Sequence, residues 1–207
     1  MKIINQSHEI LTDYIFTSEG VIQMLKNIEK AGRTAYKSEG KTTDLSFRRF
    51  VRMIIDRGHE SVLEHESISV KLTTNRAIAN ELVRHRLASY TQESTRYVNY
   101  GKKGEIRFIM PILKNKLDKV NFIMLFKQAE KNYNSLIEIG LKPEIARDIL
   151  PLATATEIVI TANLREWRHI FKLRIHKTAH PQMRELMKMV LSDFKKYIPI
   201  IFDDIKD

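Results

Sequence analysis

Arg84-His85-Arg86-Leu87-Ala88-Ser89-Tyr90-Thr91-Gln92-Glu93-Ser94-Thr95-Arg96-Tyr97 gathers three permanent cations, one imidazole and a run of hydroxyl and amide groups in one short stretch. Guanidinium keeps its charge at any physiological pH and presents a planar fork that matches phosphate or carboxylate oxygens. Cations this close, with few acids between them, repel one another unless an anionic ligand or buried acids offset the charge. Without context a solvated basic face is the ordinary explanation of such a run. The residues before it read as a helix from Asn75 to Leu87, with Ile78, Leu82 and Val83 as its apolar stripe and Thr74 or Asn75 as its cap. Arg84, His85 and Arg86 would close that helix, where cations suit the negative end of the dipole. Consecutive helical residues point about 100° apart, so the three side chains would serve two ligands, or one ligand and a structural acid.

Outward from this stretch, apolar spacing predicts a helix-rich α+β chain. Helices are expected at Ser18–Ala31 (on Val21, Met24, Leu25 and Ile28) and at Asp44–Asp56 (on Leu45, Phe47, Phe50, Val51 and Ile54), the second ended by Gly58. Asp118–Ile139 reads as a long helix with Gly140 as its stop. Pro143 opens a short helix that ends at Pro151. Leu164–Ile175 and Pro181–Tyr197 complete the helices. Alternation of Ile68, Val70 and Leu72 with Ser69, Lys71 and Thr73 predicts a half-exposed strand over Ser67–Thr73. Ile106–Met110 and the β-branched Thr154–Thr161 are further strand candidates, for a small antiparallel or mixed sheet.

The chain has no repeat, low-complexity tract or linker, and residues 1–207 are expected to form a single domain. Hydrophobic content of 43% and charged content of 29% are ordinary for a soluble globular protein. The 35 Lys+Arg against 25 Asp+Glu leave a formal charge of +10, which favours anionic partners such as nucleotides, nucleic acid or acidic lipid. With no cysteine there is no disulfide, no thiolate metal ligand and no cysteine nucleophile. Met1 to Asp13 lacks the apolar core of an export signal, and no apolar run approaches the roughly 18 residues that span a bilayer. A cytoplasmic location is the expectation.

Arg84-His85-Arg86, seven residues, then Ser94 resembles the signature of the flavin-dependent thymidylate synthases. Glu81-Leu82-Val83 before it and Gln92 to Tyr97 around it agree. So do Arg57-Gly58-His59-Glu60-Ser61 with Glu64-His65, Ala146-Arg147 with Leu150-Pro151-Leu152, Asn163-Leu164-Arg165, Leu173-Arg174 and His180-Pro181-Gln182-Met183-Arg184. The matches keep their order from about Ala31 to Glu185. The resemblance implies reductive methylation of dUMP to dTMP, with 5,10-methylenetetrahydrofolate as carbon donor and FAD, re-reduced by NADPH, as hydride source. It also implies a homotetramer with each flavin between subunits. The absence of cysteine agrees with this family, since the better-known route to thymidylate needs a cysteine nucleophile.

Residue by residue, the resemblance assigns Arg174 to ionising N3 of the pyrimidine, which makes C5 more electron-rich. It assigns Glu81, Arg84, Gln92, Glu93, Ser94, Thr95, Arg96, Arg147 and Arg174 to dUMP. The FAD set is His59, Ser61, Arg84, His85, Arg86, Gln92, Asn163, Arg165 and His169. Arg84 and Gln92 belong to both. No Gly-x-Gly-x-x-Gly loop is present to hold the flavin by a Rossmann turn. Glu81 stands where glutamine is frequent, Gln92 where an acid can occur and His169 where asparagine can occur. Ala35 stands two residues after Arg33 where a small hydroxyl or thiol residue is found. Without the resemblance, Arg174 is a cation at a helix C-terminus and Glu81 an acid on a helix.

Two other classes fit less well. A metal hydrolase on His59-Glu60 and Glu64-His65 would need histidines four apart on one helical face, whereas these are six apart. His176 and His180 have that spacing, but Pro181 follows and no acid accompanies them, so no metal is expected. A nucleic-acid binder, suggested by the charge and by Tyr90, Tyr97 and Tyr100, lacks a recognisable binding motif or a repeated stacking platform.

Overall fold

The structure, a computed structural model, describes residues 1–100 and 105–206. Its strands are β1 (Lys2–Ile4), β2 (Ser7–Ile10), β3 (Ser67–Asn75), β4 (Ala88–Gln92), β5 (Arg107–Ile109) and β6 (Ala155–Asn163). The α-helices are α1 (Ser18–Tyr36), α2 (Ser46–Asp56), α3 (Arg76–Leu82), α4 (Lys116–Glu138), α5 (Pro143–Ala146), α6 (Leu164–Arg174), α7 (Pro181–Tyr197) and α8 (Pro199–Phe202). The fold class is α+β, as expected. One sheet has the order β2-β3-β6-β4, and β1 pairs with β5 in parallel, Lys2 opposite Arg107 and Ile4 opposite Ile109. Phe108 of β5 also makes an antiparallel bridge to Thr154, so both directions of pairing occur. Two compact units emerge: Met1–Ser7 with Leu72–Arg84 and Tyr90–Val159, and His8–Lys71 with His85–Ser89 and Ile160–Asp207.

The first unit buries Tyr100, Ile106, Phe108, Phe126, Tyr133 and Ala146 together. Phe108 and Phe126 stack at 4.6 Å. Helix α4 contributes few of these groups; Phe126 and Tyr133 are its buried residues. Leu117, Val120, Met124 and Leu125 of the same helix stay more than half exposed. Asn115 caps it through the Leu117 N–H, and Gly140 takes φ +93° just beyond its end, a left-handed position that glycine occupies without strain.

The second unit packs α1, α2, α6, α7 and α8 on one core. Trp167, Phe171, Phe194 and Phe202 form an aromatic cluster with centroids between 5.1 and 5.8 Å apart. Trp167 Nε1 donates to the Ile68 carbonyl at 3.0 Å, which fixes α6 beside β3. Gly32 of α1 admits the Phe50 ring of α2 so closely that a Cβ there would lie 2.6 Å from it.

The departures from sequence expectation are local and have physical causes. Helix α3 ends at Leu82 rather than Leu87: the Tyr90 hydroxyl donates to the Leu82 carbonyl at 2.7 Å, taking the acceptor a further turn would use. Val83 and Leu87, read as stripe and helix end, are 37% and 73% exposed. Arg84, His85 and Arg86 therefore stand outside the helix, and the 100° spacing does not govern them. Helix α1 continues past Ala31 because Arg33 and Glu29, one turn apart, pair inside the core at 2.6 Å, where polar residues had hidden the stripe. Helix α2 starts at Ser46 instead of Asp44, α5 stops at Ala146 and passes into a 3₁₀ turn over Arg147–Ile149, and β3 and β6 each run two residues further. Strands β1, β2 and β4 have no counterpart in the sequence reading; at three to five residues they are too short for alternation to register.

Candidate active site

Helix α6 organises the flavin-assigned side chains of the second unit. Asn163 caps it, accepting the Glu166 N–H at 2.8 Å, and Glu166 sits in the first turn where the dipole favours an acid. Lys172 and Arg174 lie in the last turn, where it favours cations. Along one side the helix ties down nearby acids. Arg165 donates to Glu64 at 2.5 Å, and Arg168 donates to Glu60 at 3.0 Å, to both Asp204 oxygens at 2.7 and 2.6 Å, and to the Ile201 carbonyl. Lys172 adds a 3.5 Å contact to Glu60. A hydrolase built on Glu60 and Glu64 would thus have to break these ion pairs.

The other side of α6 meets the central residue of the basic stretch. His85 is buried at 6% exposure, while Arg84 and Arg86 flanking it are exposed. Arg174 donates through Nε to His85 Nε2 at 2.9 Å. On the opposite edge of the ring, Nδ1 lies 3.3 Å from Glu166 Oε1. His169 places its ring edge-on to His85 at 5.8 Å. Because a guanidinium can only donate, Nε2 carries the lone pair, and the neutral ring bears its proton on Nδ1, facing the carboxylate. Burial, then the charge of Arg174, then His169 push the His85 pKa down to about 4. Burial pushes Glu166 up, opposed by His169.

These shifts set a pH dependence with a definite sign. The unfolded chain protonates His85 near 6.5, while the folded ring resists until about 4. Between those values the unfolded state binds more protons, so the His85 contribution is whole above pH 6.5 and declines as pH falls toward 4. Glu166 works oppositely: its contribution is present at low pH and fades as pH rises through its raised folded pKa. Melting temperatures recorded across this window should show a shallower acid decline in His85→Gln than in the parent; equal slopes would contradict a buried neutral ring.

One cavity adjoins this cluster through Glu166 and His169, and a second shares Glu60 and Arg165 with the first. One, of about 400 Å³, is lined by Leu87, Asn163, Glu166, His169 and Lys172 among others. The other, of about 350 Å³, takes in Ala35, His59 and Ser61. A flavin dinucleotide requires cations for its diphosphate and N–H donors for its ring carbonyls. Asn163, Arg165, His169 and Lys172 offer these around the first cavity, with the acids there partly offset by Arg165 and Arg168, so the donor set fits the group. Ligand atoms of His85, Glu166 and His169 lie within 4.8 Å of one another, close enough for a metal. The His85 Nε2 lone pair is already engaged by Arg174, whose charge opposes a second cation there. His176 and His180 are engaged locally, with Thr178 and with the Gln182 N–H.

The nucleotide-assigned residues other than Arg174 fall in the first unit. Gln92 ends β4 and donates to Thr156 at 3.3 Å, and the Glu93 N–H continues the ladder to the Glu157 carbonyl at 2.8 Å. The chain then turns over Ser94, whose carbonyl accepts the N–H groups of Tyr97 and Val98. Arg147 donates to the Thr95 hydroxyl at 3.1 Å and to the Glu144 carbonyl at 3.1 Å. Arg96 lies 3.7 Å from Glu144. Glu93 accepts from Tyr100 at 3.2 Å, and its backbone carbonyl accepts from Arg76 at 3.2 Å. Burial, then Glu93, push Tyr100 up to about 12. Ser94, Thr95, Arg96 and Arg147 are thereby assembled, whereas Glu81 and Arg84 belong to the end of α3, joined through the Arg84 N–H and Glu81 carbonyl. Sequence reasoning missed Glu166 altogether. Its one local signal, an acid three residues after Asn163, reads as helix capping.

Residues 21–200 match the family described as thymidylate synthase complementing protein. A flavin-dependent thymidylate synthase of Geobacter sulfurreducens is 35% identical over 183 residues, covering 84% of this chain and 78% of that protein. A probable flavin-dependent thymidylate synthase of Mycobacterium phage D29 is 32% identical over 211 residues, covering 94% and 88%. The crystal structure of a UMP/dUMP methylase, PolB from Streptomyces cacaoi bound with 5-Br dUMP, superposes with a TM-score of 0.75 at 21% identity, covering 98% of this chain and 96% of that one; it shows the shared fold. The chain belongs to the flavin-dependent thymidylate synthase family.

Proposed function

We propose that this chain methylates dUMP to dTMP without a cysteine nucleophile, using 5,10-methylenetetrahydrofolate, FAD and NADPH. The observation that carries the reading is Arg174, held at 2.9 Å on a buried neutral imidazole beside a cavity whose donors suit a flavin. A guanidinium next to the imide N3–H favours loss of that proton by charge attraction and so enriches C5. Ser94, Thr95, Arg96 and Arg147, with backbone N–H groups of the same turn, suit a phosphate clasp. Glu81, Arg84, Gln92 and Glu93 complete the nucleotide set. His59, Ser61, Arg84, His85, Arg86, Gln92, Asn163, Arg165 and His169 are the flavin set. Bound FAD, re-reduced by NADPH, supplies the hydride, and the folate supplies the carbon.

Residues 1–207 are read as one such domain; the family match runs unbroken through residues of both units. A homotetramer with flavin between subunits is part of the reading. The exposed stripe Leu117, Val120, Met124 and Leu125 on α4 supports it, since helical spacing of apolar residues suits a partner helix. No helix among the described residues is long and apolar enough to cross a membrane. The reactants are small water-soluble molecules, and a cytoplasmic location goes with them. Neither a metal nor nucleic acid enters the proposal.

The test is an anaerobic titration of the purified protein's visible spectrum with NADPH, with and without dUMP. The flavin bands should bleach, and faster with the nucleotide present. A colourless protein that takes up no added FAD would overturn the proposal.

A further inference from the structure

We propose that Glu166 and His85 form a positioning relay for Arg174, Glu166 selecting the imidazole tautomer that accepts the Arg174 Nε–H. This rests on the reading of Arg174 as the group that ionises N3. The Nε atom lies in the plane of the guanidinium, so a bond through it at 2.9 Å sets the orientation of the whole fork. The bond exists only while His85 Nε2 is unprotonated. A neutral imidazole can place its proton on either nitrogen, and the partner at the far edge decides which. Glu166 Oε1, 3.3 Å from Nδ1, is an acceptor and so draws the proton to that edge. His85 and Glu166 are each 6% exposed, which keeps water from replacing either contact. A further titratable neighbour among the described residues is His169, edge-on to His85 and on the same helix as Glu166 and Arg174.

At this contact a neutral ring orients the guanidinium without cancelling its charge, and the negative charge of Glu166 stands one imidazole further away. Without an acceptor at Nδ1, the ring is free to carry its proton on Nε2. Two donors would then face each other and the fork would lose its support.

Fluorine NMR of bound 5-fluorodeoxyuridylate, whose N3–H is more acidic than that of uracil, reports N3 ionisation as pH is raised, on the FAD-loaded protein. With Glu166→Leu, the bound N3 pKa should rise by about one unit and kcat should fall about tenfold, the free-energy equivalent of that shift. The nucleotide KM should stay within about threefold, because the clasp is untouched. Glu166→Gln, whose amide oxygen still accepts the Nδ1–H, should recover most of both losses. Glu166→Ala gives the same readouts should the leucine variant not take up FAD. Arg174→Ala serves as the control. If it returns the N3 pKa to that of the free nucleotide while neither Glu166→Leu nor Glu166→Ala moves pKa or kcat, the relay is overturned and the role of Arg174 stands. If Arg174→Ala itself leaves the N3 pKa where it was, the role of Arg174 fails and the relay with it.

Discussion

Replacing Arg174 with alanine is expected to lower dTMP formation by about 10²- to 10³-fold, the range found when one preorganised donor to a developing negative charge is removed. On the proposed function, flavin should still bind and still bleach with NADPH, because that proposal gives Arg174 a role toward the nucleotide and none toward the flavin. The two rates separate the roles: nucleotide activation is lost while the reductive half survives. Lysine at this position keeps the charge but lacks the planar fork and the Nε donor that meets His85 at 2.9 Å. Its rate should fall between those of the parent and the alanine variant. Rapid-mixing measurements of flavin reduction, paired with product assays, would decide. Unimpaired turnover in Arg174→Ala would remove the residue from the chemistry.

The largest loss of stability should come from Arg168→Ala. This guanidinium is 1% exposed and donates to Glu60, to both oxygens of Asp204 and to the Ile201 carbonyl. Hydrogen bonding to Arg168 holds Asp204 below its ordinary pKa. Removing one partner of a buried ion pair costs about 3–5 kcal/mol, because the charge left behind is uncompensated. Glu60 and Asp204 keep 19% and 39% of their side-chain surface in water, so hydration recovers part of that and the lower end, about 3 kcal/mol, is expected. For a chain of this size that is a fall in melting temperature of roughly 6–12 °C. Thermal melts of the FAD-loaded protein would measure it, and a shift under about 2 °C would mean that the network contributes little.

Periodicity worked where an apolar stripe is buried by its neighbours. Phe47, Phe50, Val51 and Ile54 placed α2, and Ile68, Val70 and Leu72 placed β3, because burial in each follows the period of the element. It failed where a tertiary contact outweighed local preference. Tyr90 takes the Leu82 carbonyl and ends α3 early, although Val83 and Leu87 continue the helical spacing. The buried pair Glu29 and Arg33 extends α1 through residues that look solvent-facing in sequence.

The candidate site divides in the same way. Motif order pointed to the family and composition to the lack of any cysteine, while the assignment of arginines, serine and threonine to an anionic nucleotide came with the resemblance and is part of the proposed function. Which basic residue turns inward was decided by the tertiary structure. His85 is buried between two exposed arginines because the chain leaves α3 at Leu82 and meets α6, 89 residues on at Arg174. Its neutral state and its contacts with Glu166 and Arg174 follow from burial at that meeting point. Local sequence carries no record of a pairing made across such a separation, since desolvation and charge at position 85 are set by residues that only folding brings there.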